Sequence, residues 1–263
     1  MTPSQAVDLQ GHRGARGLLP ENSIPAFERA LELGVTTLEM DCGVTRDGVV
    51  VVHHDRRLNP DVARLHGEWV KAPGPLVKDL SFAELQTYDV GRLRPGSEYA
   101  SRFPHQQPVD GTRIPRLADV LRYPKVSFNI ETKISPDAPD ETLPPEEFAR
   151  KVIAEIRRAG VEKRATIQSF DWRTLKVVER EAPEIATVYL TMGKDSDPDK
   201  VRAAGGKIWS PDFRDLDHEK LRQARTQNLR VIPWTVNEPA DIARILALGV
   251  DGIISDYPDR FRK

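Results

Sequence analysis

A single cysteine among 263 residues excludes a disulfide framework, and no run of about 20 apolar residues is present that could cross a bilayer as a helix. Charge of one sign is also lacking. With 39 basic and 40 acidic side chains the net charge is −1, which removes the electrostatic case for nucleic acid as a partner but leaves room for a local basic pocket that holds a phosphate. No low-complexity linker divides the chain, so residues 1–263 are expected to form one large α/β domain. The opening Met1-Thr2-Pro3-Ser4-Gln5 has no apolar signal-peptide core; the expected location is the cytoplasm, unless a leader has been removed.

What is present is an alternation of short β-rich runs with helical periodicities, the pattern of a mostly parallel sheet with crossover helices. Eight strands are predicted: Val7–Gln10, Thr36–Asp41, Val126–Glu131, Ala165–Gln168, Ile185–Leu190, Lys207–Trp209, Arg230–Trp234 and Gly252–Ser255. Helices are predicted over Ser23–Leu33, Pro145–Ala159, Asp171–Glu181, Asp217–Asn228 and Pro239–Leu248. The first has Ser23 as N-cap, Pro25 in its first turn and Gly34 as its stop. Eight strands suit a closed TIM-type (β/α)8 barrel.

One segment breaks the rhythm. Val44 to Val52 reads as an Asp47-Gly48 hairpin returning through four valines. Residues 56–113 then carry many prolines and glycines and one clear helical stretch, Phe82–Tyr88. So long a connection after the second strand is expected to be an insertion over the C-terminal mouth of the barrel, where function commonly resides.

Glu39 and Asp41 lie one residue apart at the end of the second strand, which puts both carboxylates on one face. Alone, such a pair can simply face water. Here Glu131 ends the third strand, and in a barrel all three converge on the mouth as oxygen ligands for one divalent cation, Mg²⁺ or Ca²⁺. Arg13 and Lys133 stand nearby to carry negative charge on a substrate phosphate. His12 follows the first strand, and the pair His53-His54 ends the hairpin return. Two imidazoles can supply a base and an acid across a P–O bond, a role that typically contributes about 10²- to 10⁴-fold in rate. Because adjacent strand residues face opposite ways, only one of His53 and His54 can point inward, and spacing does not say which.

His12-Arg13-Gly14 with Glu21-Asn22-Ser23, Glu39-Met40-Asp41, Thr45-Arg46-Asp47-Gly48 and Val52-His53-His54-Asp55 resembles the glycerophosphodiester phosphodiesterase family. Phe128 to Lys133, Gln168-Ser169-Phe170, Trp234 to Asn237 and Asp251 to Pro258 extend the resemblance almost end to end. It implies a TIM-barrel-like fold and metal-dependent hydrolysis of small glycerophosphodiesters to glycerol 3-phosphate and an alcohol. It further implies acid/base roles for His12 and His54, metal contacts for Glu39, Asp41 and Glu131, and phosphate contacts for Arg13 and Lys133. His54 is preferred over His53 because the family pattern has its histidine immediately before the aspartate, here Asp55. Arg56 to Pro60 and Thr132 depart from the commonest pattern, and neither departure touches the implied catalytic atoms.

Gln168, Trp209 and Trp234 are expected to line the pocket, with Phe170, Tyr189 and Phe213 as further wall candidates and choline as one headgroup such a wall can face. Glu21 and Asn22 are expected to brace the first loop, and Cys42 to pack. Attack by the vicinal glycerol hydroxyl, giving a cyclic phosphate, and direct attack by water are both compatible with these residues. A lysophospholipid- or sphingolipid-directed phosphodiesterase and a non-catalytic phosphate-binding barrel are the competing readings. The mixed charge of 56–113, without a sustained amphipathic helix, favours a small substrate and no stable membrane insertion.

Overall fold

The computed structural model describes residues 7–261, so the polar start Met1 to Gln5 lies outside the described residues. Eight parallel strands, Asp8–Gly11, Thr37–Val44, Ser127–Thr132, Ala165–Ser169, Ala186–Thr191, Ile208–Pro211, Arg230–Val231 and Gly252–Ser255, follow one another around a (β/α)8 barrel, numbered here one to eight. Strand one pairs with strand eight, Gln10 opposite Ile254. Strand seven is shorter than predicted because Pro233 has no N–H to donate. Its path nevertheless continues: Ile254 N–H donates to Pro233 C=O at 3.0 Å and Val236 N–H to Ile254 C=O at 2.9 Å, which brings strand eight against it and nearly closes the barrel.

Alternation along each strand sorts side chains between two environments. In strand two, Leu38, Met40 and Cys42 face out into the main apolar core between barrel and helices, while Glu39 and Asp41 face in. Phe128 and Ile130 of strand three and Ile167 of strand four repeat this outward set. Cys42 thus packs, as expected. The helices that cover the barrel include Ile24–Glu32, Pro145–Ala159, Trp172–Glu181, Pro198–Ala203, His218–Thr226 and Pro239–Leu248. Ala26 N–H donates to Ser23 Oγ at 3.3 Å, capping the first, and Gly249 in the left-handed region, φ 84°, ends the last. The Pro198–Ala203 helix is one that sequence periodicity missed. With six residues it is too short to display a hydrophobic repeat. Among the described residues no helix is long and apolar enough to cross a membrane.

The hairpin forms as expected, with Val50–Val52 antiparallel to the end of strand two. The connection that follows builds a satellite core of its own from Val51, Leu58, Val62, Ala63, Val77, Leu85, Val90 and Ile114. A three-stranded sheet of Arg64–Leu65, Glu68–Trp69 and Tyr88–Asp89 supports it. The predicted helix Phe82–Tyr88 is a correction: only Phe82–Leu85 is helical, and Tyr88 pairs in the small sheet opposite Leu65. Two parts of the connection touch groups at the barrel mouth. Asn59 donates to Asp55, and the stretch from Tyr99 to Gln106 lies against Arg13 and Arg16.

Candidate active site

The chain leaves strand one through His12-Arg13-Gly14 in a turn that needs a glycine. Gly14 has φ 84°, and a Cβ there would lie 2.6 Å from the Ala26 carbonyl carbon. Arg13 is also left-handed, φ 52°, which aims its backbone N–H into the barrel, where it donates to Glu39 Oε2 at 2.9 Å.

Strand register assembles the acidic groups. Glu39 lies opposite Asn129 and Asp41 opposite Glu131 on strand three, and Glu131 lies opposite Gln168 on strand four. Glu39, Asp41 and Glu131 each bring one oxygen within 4.8 Å of the others. Each also accepts a side-chain hydrogen bond from the side. Gln168 Nε2 donates to Glu39 Oε1 at 2.7 Å, Asn22 Nδ2 to Asp41 Oδ2 at 2.9 Å, and Lys133 Nζ to Glu131 Oε1 at 2.8 Å. Gln168 is in turn fixed by Asn129, whose Nδ2 donates to Gln168 Oε1 and to Gln10 Oε1, both at 2.9 Å. Asp41 Oδ1 is buried with no hydrogen-bond donor.

These three buried carboxylates can coordinate a divalent cation. Burial, then Asp41 and Glu131, push the Glu39 carboxyl well above its ordinary pKa; burial and Asp41 also raise Glu131, against Lys133. Burial opposes ionisation of Asp41 as well, yet Arg13, His54 and Lys133 hold it well below. Ionised together, the three would carry more negative charge than Arg13 and Lys133 offset, which is why Glu39 and Glu131 are driven toward their protonated forms in the absence of a further cation; and a buried acceptor left unpaired costs about 1–3 kcal/mol. A hard cation at the free oxygens satisfies both needs.

His12 and His54 both line a cavity of about 330 Å³ with Arg13, Glu39, Glu131 and Lys133. Each has a carboxylate behind it. His12 Nδ1 lies 2.8 Å from Asp256 Oδ1, and His54 Nδ1 lies 2.6 Å from Asp55 Oδ1. A carboxylate accepts only, so this pairing favours the ring proton on Nδ1 and a bare Nε2 in each neutral ring; at His12 the donor Arg16 Nη2, 3.1 Å from the same Nδ1, works against it. Asp256 is itself held by Arg16 Nε at 2.7 Å and Asn237 Nδ2 at 2.7 Å, and Asn59 Nδ2 donates to Asp55 Oδ2 at 2.8 Å. Burial, followed by Arg16, lowers the His12 pKa to about 4 against the pull of Asp256. Burial, then Arg13, also lowers His54. Asp256 lies in the Asp251 to Pro258 motif, where the sequence assigns it no role, and Arg16, Asn59 and Asn237 are supports that the sequence does not single out. An aspartate at a strand end was the available signal.

His53 is buried, gives its N–H to Asp41 C=O at 2.9 Å, and does not line the cavity. Arg13 reaches the cavity with its guanidinium already between Glu21, 2.8 Å, and Asp41, 3.1 Å. Glu21 also accepts from Tyr99, and Asn22 is bound to Asp41, so both act as braces. Gln168 and Trp234 line the cavity, as does Phe170. Trp209 is a correction. It is fully buried on the outer side of strand six in the main core, with Nε1–H donating to Thr191 Oγ1 at 2.8 Å. Tyr189 is likewise an outward core residue, stacked edge to face on Trp172 at 4.9 Å, and Phe213 packs against the same core. Trp209 and Tyr189 are displaced from the site by strand parity, since an odd shift along a strand exchanges the two faces, and Phe213 lies in the turn Phe213–Asp215 beyond strand six.

A family model described as the glycerophosphoryl diester phosphodiesterase family matches residues 12–260. A Bacillus subtilis (strain 168) protein named glycerophosphodiester phosphodiesterase is 32% identical over 278 aligned positions, covering 100% of this chain and 87% of that protein. The uncharacterized protein YqiK of the same strain is 33% identical over 258, covering 95% and 94%. The crystal structure of a candidate glycerophosphoryl diester phosphodiesterase from Silicibacter pomeroyi DSS-3 superposes with a TM-score of 0.92 at 37% identity, over 98% of this chain and 92% of that one. An Oleispira antarctica phosphodiesterase in complex with its product sn-glycerol-3-phosphate shares the fold, with a TM-score of 0.77 at 20% identity over 97% and 95% of the two chains.

Proposed function

The chain belongs to the glycerophosphoryl diester phosphodiesterase family and is a phosphodiesterase; we propose that it hydrolyses small glycerophosphodiesters to glycerol 3-phosphate and an alcohol, with His12 and His54 managing the protons. The observation that carries this reading is the meeting, at one cavity, of two imidazoles that each rest on an aspartate with Glu39 and Glu131, two members of the three-carboxylate cluster. A binding protein for phosphate has no use for two such dyads.

Glu39, Asp41 and Glu131 would hold Mg²⁺ or Ca²⁺, which when bound withdraws electron density from the phosphate and offsets charge that builds on its oxygens. Lys133 adds a fixed positive charge beside the same oxygens, and Arg13 chiefly holds Asp41 in place. His12, the more deeply enclosed imidazole, takes the proton from the attacking hydroxyl at its bare Nε2. Asp256 stabilises the imidazolium that results. His54 enters the cycle as the imidazolium, protonated on both ring nitrogens; it delivers its Nε2 proton to the departing alcohol oxygen as the bond to phosphorus breaks and returns to the neutral ring, while Asp55 on Nδ1 keeps the ring in the orientation this requires. Attack by water uses these two proton transfers once; attack by the vicinal glycerol hydroxyl uses them to expel the alcohol and form a cyclic phosphate, and then in reverse, His54 taking a proton from water and His12 returning one to the glycerol oxygen as the ring opens. The vicinal attack gains from holding the nucleophile within the substrate.

Assay of the purified protein on glycerophosphocholine, before and after chelation and then with Mg²⁺, Ca²⁺ or Mn²⁺ restored separately, tests the reading through release of glycerol 3-phosphate. Turnover that survives chelation, or a panel of diesters none of which yields glycerol 3-phosphate, defeats it.

A further inference from the structure

Among the described residues two large apolar side chains stand exposed, Phe170 at 41% and Met192 at 53%, and both line the catalytic cavity. Leu190 and Trp234 line the same cavity and complete its apolar wall, in which Phe170 and Trp234 meet edge to face at 5.3 Å. Scattered apolar groups on a surface mean little, but two beside the reacting groups mark where the remote half of a substrate rests.

Charge on the cavity lining is distributed unevenly. Arg13 is paired with Glu21 and Asp41, Arg16 with Asp256, and Lys133 with Glu131. Arg102, contributed by the inserted connection, has no carboxylate partner among the described residues. Its guanidinium lies 5.7 Å from the Tyr99 ring centroid and 5.9 Å from that of Phe103. The acids that line the cavity are Glu39 and Glu131, both committed to the carboxylate cluster. The face of Phe170, where a quaternary ammonium would otherwise sit, already has the Lys133 ammonium 6.0 Å from its centroid.

We propose that the Phe170–Trp234–Met192 wall holds the leaving alcohol and that Arg102 selects alcohols bearing negative charge, such as phosphorylated polyols, over cationic ones such as choline. The inference rests on the diesterase reading of the site. A second cation has no carboxylate to meet there, whereas an added phosphate meets an unpaired guanidinium. Because Arg102 is exposed, its effect is that of a solvated pair, about threefold in kcat/KM, and reversing its charge moves the ratio about tenfold.

The test compares kcat/KM of the metal-loaded enzyme for glycerophosphoinositol 4-phosphate, glycerophosphoglycerol and glycerophosphocholine, in wild type, R102M and R102E, at low salt and at about 0.5 M. Ratios within each variant cancel any general loss of folded protein. Expected are the order anionic, neutral, cationic in wild type, compression of that order in R102M and by salt, and its inversion in R102E. A wild-type preference for choline, or an order unmoved by R102E, overturns the inference while leaving the diesterase reading intact. Faster cleavage of lysophosphatidylcholine above its micelle threshold also overturns it, by giving the wall to an acyl chain. Cleavage of none of these diesters overturns both.

Discussion

Asp256 meets His12 Nδ1 at 2.8 Å across 244 residues of sequence, joining the end of the last barrel strand to the turn after the first. Pairing of strand one with strand eight creates this contact, and the contact favours the tautomer that leaves Nε2 of His12 free for chemistry. Replacing Asp256 with asparagine leaves an amide that can present N–H to the ring and favour the opposite tautomer. The expected result is a fall in kcat of about 10²-fold or more with KM little changed. Steady-state kinetics of D256N decide the matter, and a loss of less than about threefold would remove Asp256 from the proton path.

The same aspartate makes acid stability testable. Burial works against its ionisation, but Arg16 and His12 hold its pKa in the folded protein below the ordinary 3.8. A carboxyl depressed on folding contributes stability that is complete above the unfolded value and is lost as pH falls below it. Urea denaturation of wild type from about pH 7 down to pH 3 should therefore show declining stability at the acid end. D256N should be less stable near neutrality by about 3 kcal/mol, since Arg16 loses its buried partner, and should show a flatter acid limb. Parallel curves for the two proteins would contradict this account.

His53 and His54 should separate cleanly. His54→Ala is expected to lower kcat by about 10²-fold or more, whereas His53→Ala should act on stability and spare turnover. Loss of turnover in the His53 variant with an active His54 variant would mean that the register at the end of the hairpin return is misassigned.

Asn22→Ala tests the support of the carboxylate cluster without removing a ligand. Asn22 both donates to Asp41 Oδ2, at 2.9 Å, and accepts from Asp41 N–H, at 3.3 Å. Loss of such a support typically weakens metal binding about 10- to 100-fold. Calorimetric titration with Mg²⁺ and with Ca²⁺ measures it, and unchanged affinity for both would deny that this brace orients Asp41. Asp41→Asn should weaken binding further.

Trp209 and Trp234 are expected to fail differently. Trp209→Ala empties a closed core site and should cost about 3–5 kcal/mol of stability with little change in substrate preference. Trp234→Ala should raise KM for diesters at smaller stability cost, because its ring is only partly buried and faces the cavity. Thermal melts beside kinetics of both variants distinguish a packing residue from a wall residue.

Much of this was legible in one dimension because it depends on local periods. The helices Pro145–Ala159 and Pro239–Leu248 have the bounds that their apolar repeat and terminal glycines predict, and the spacing of Glu39 and Asp41 is enough to put both on one strand face. The three carboxylates, the two histidines and the flanking cations were all readable as strand-end groups. Parity was harder. Trp209 and Tyr189 looked like wall residues until backbone register put them on the outer face, since a shift of one residue at a strand start reverses the direction of every side chain that follows. The His12–Asp256 and Gln168–Glu39 contacts, the brace from Asn22 to Asp41, and the approach of Arg102 from the inserted connection join residues whose separation along the chain carries no geometric information. Local sequence determined which chemical groups stand at the strand ends. Pairing of the last strand with the first and packing of the connection after strand two against the barrel mouth decided which of them touch, because that pairing brings the two ends of the chain side by side.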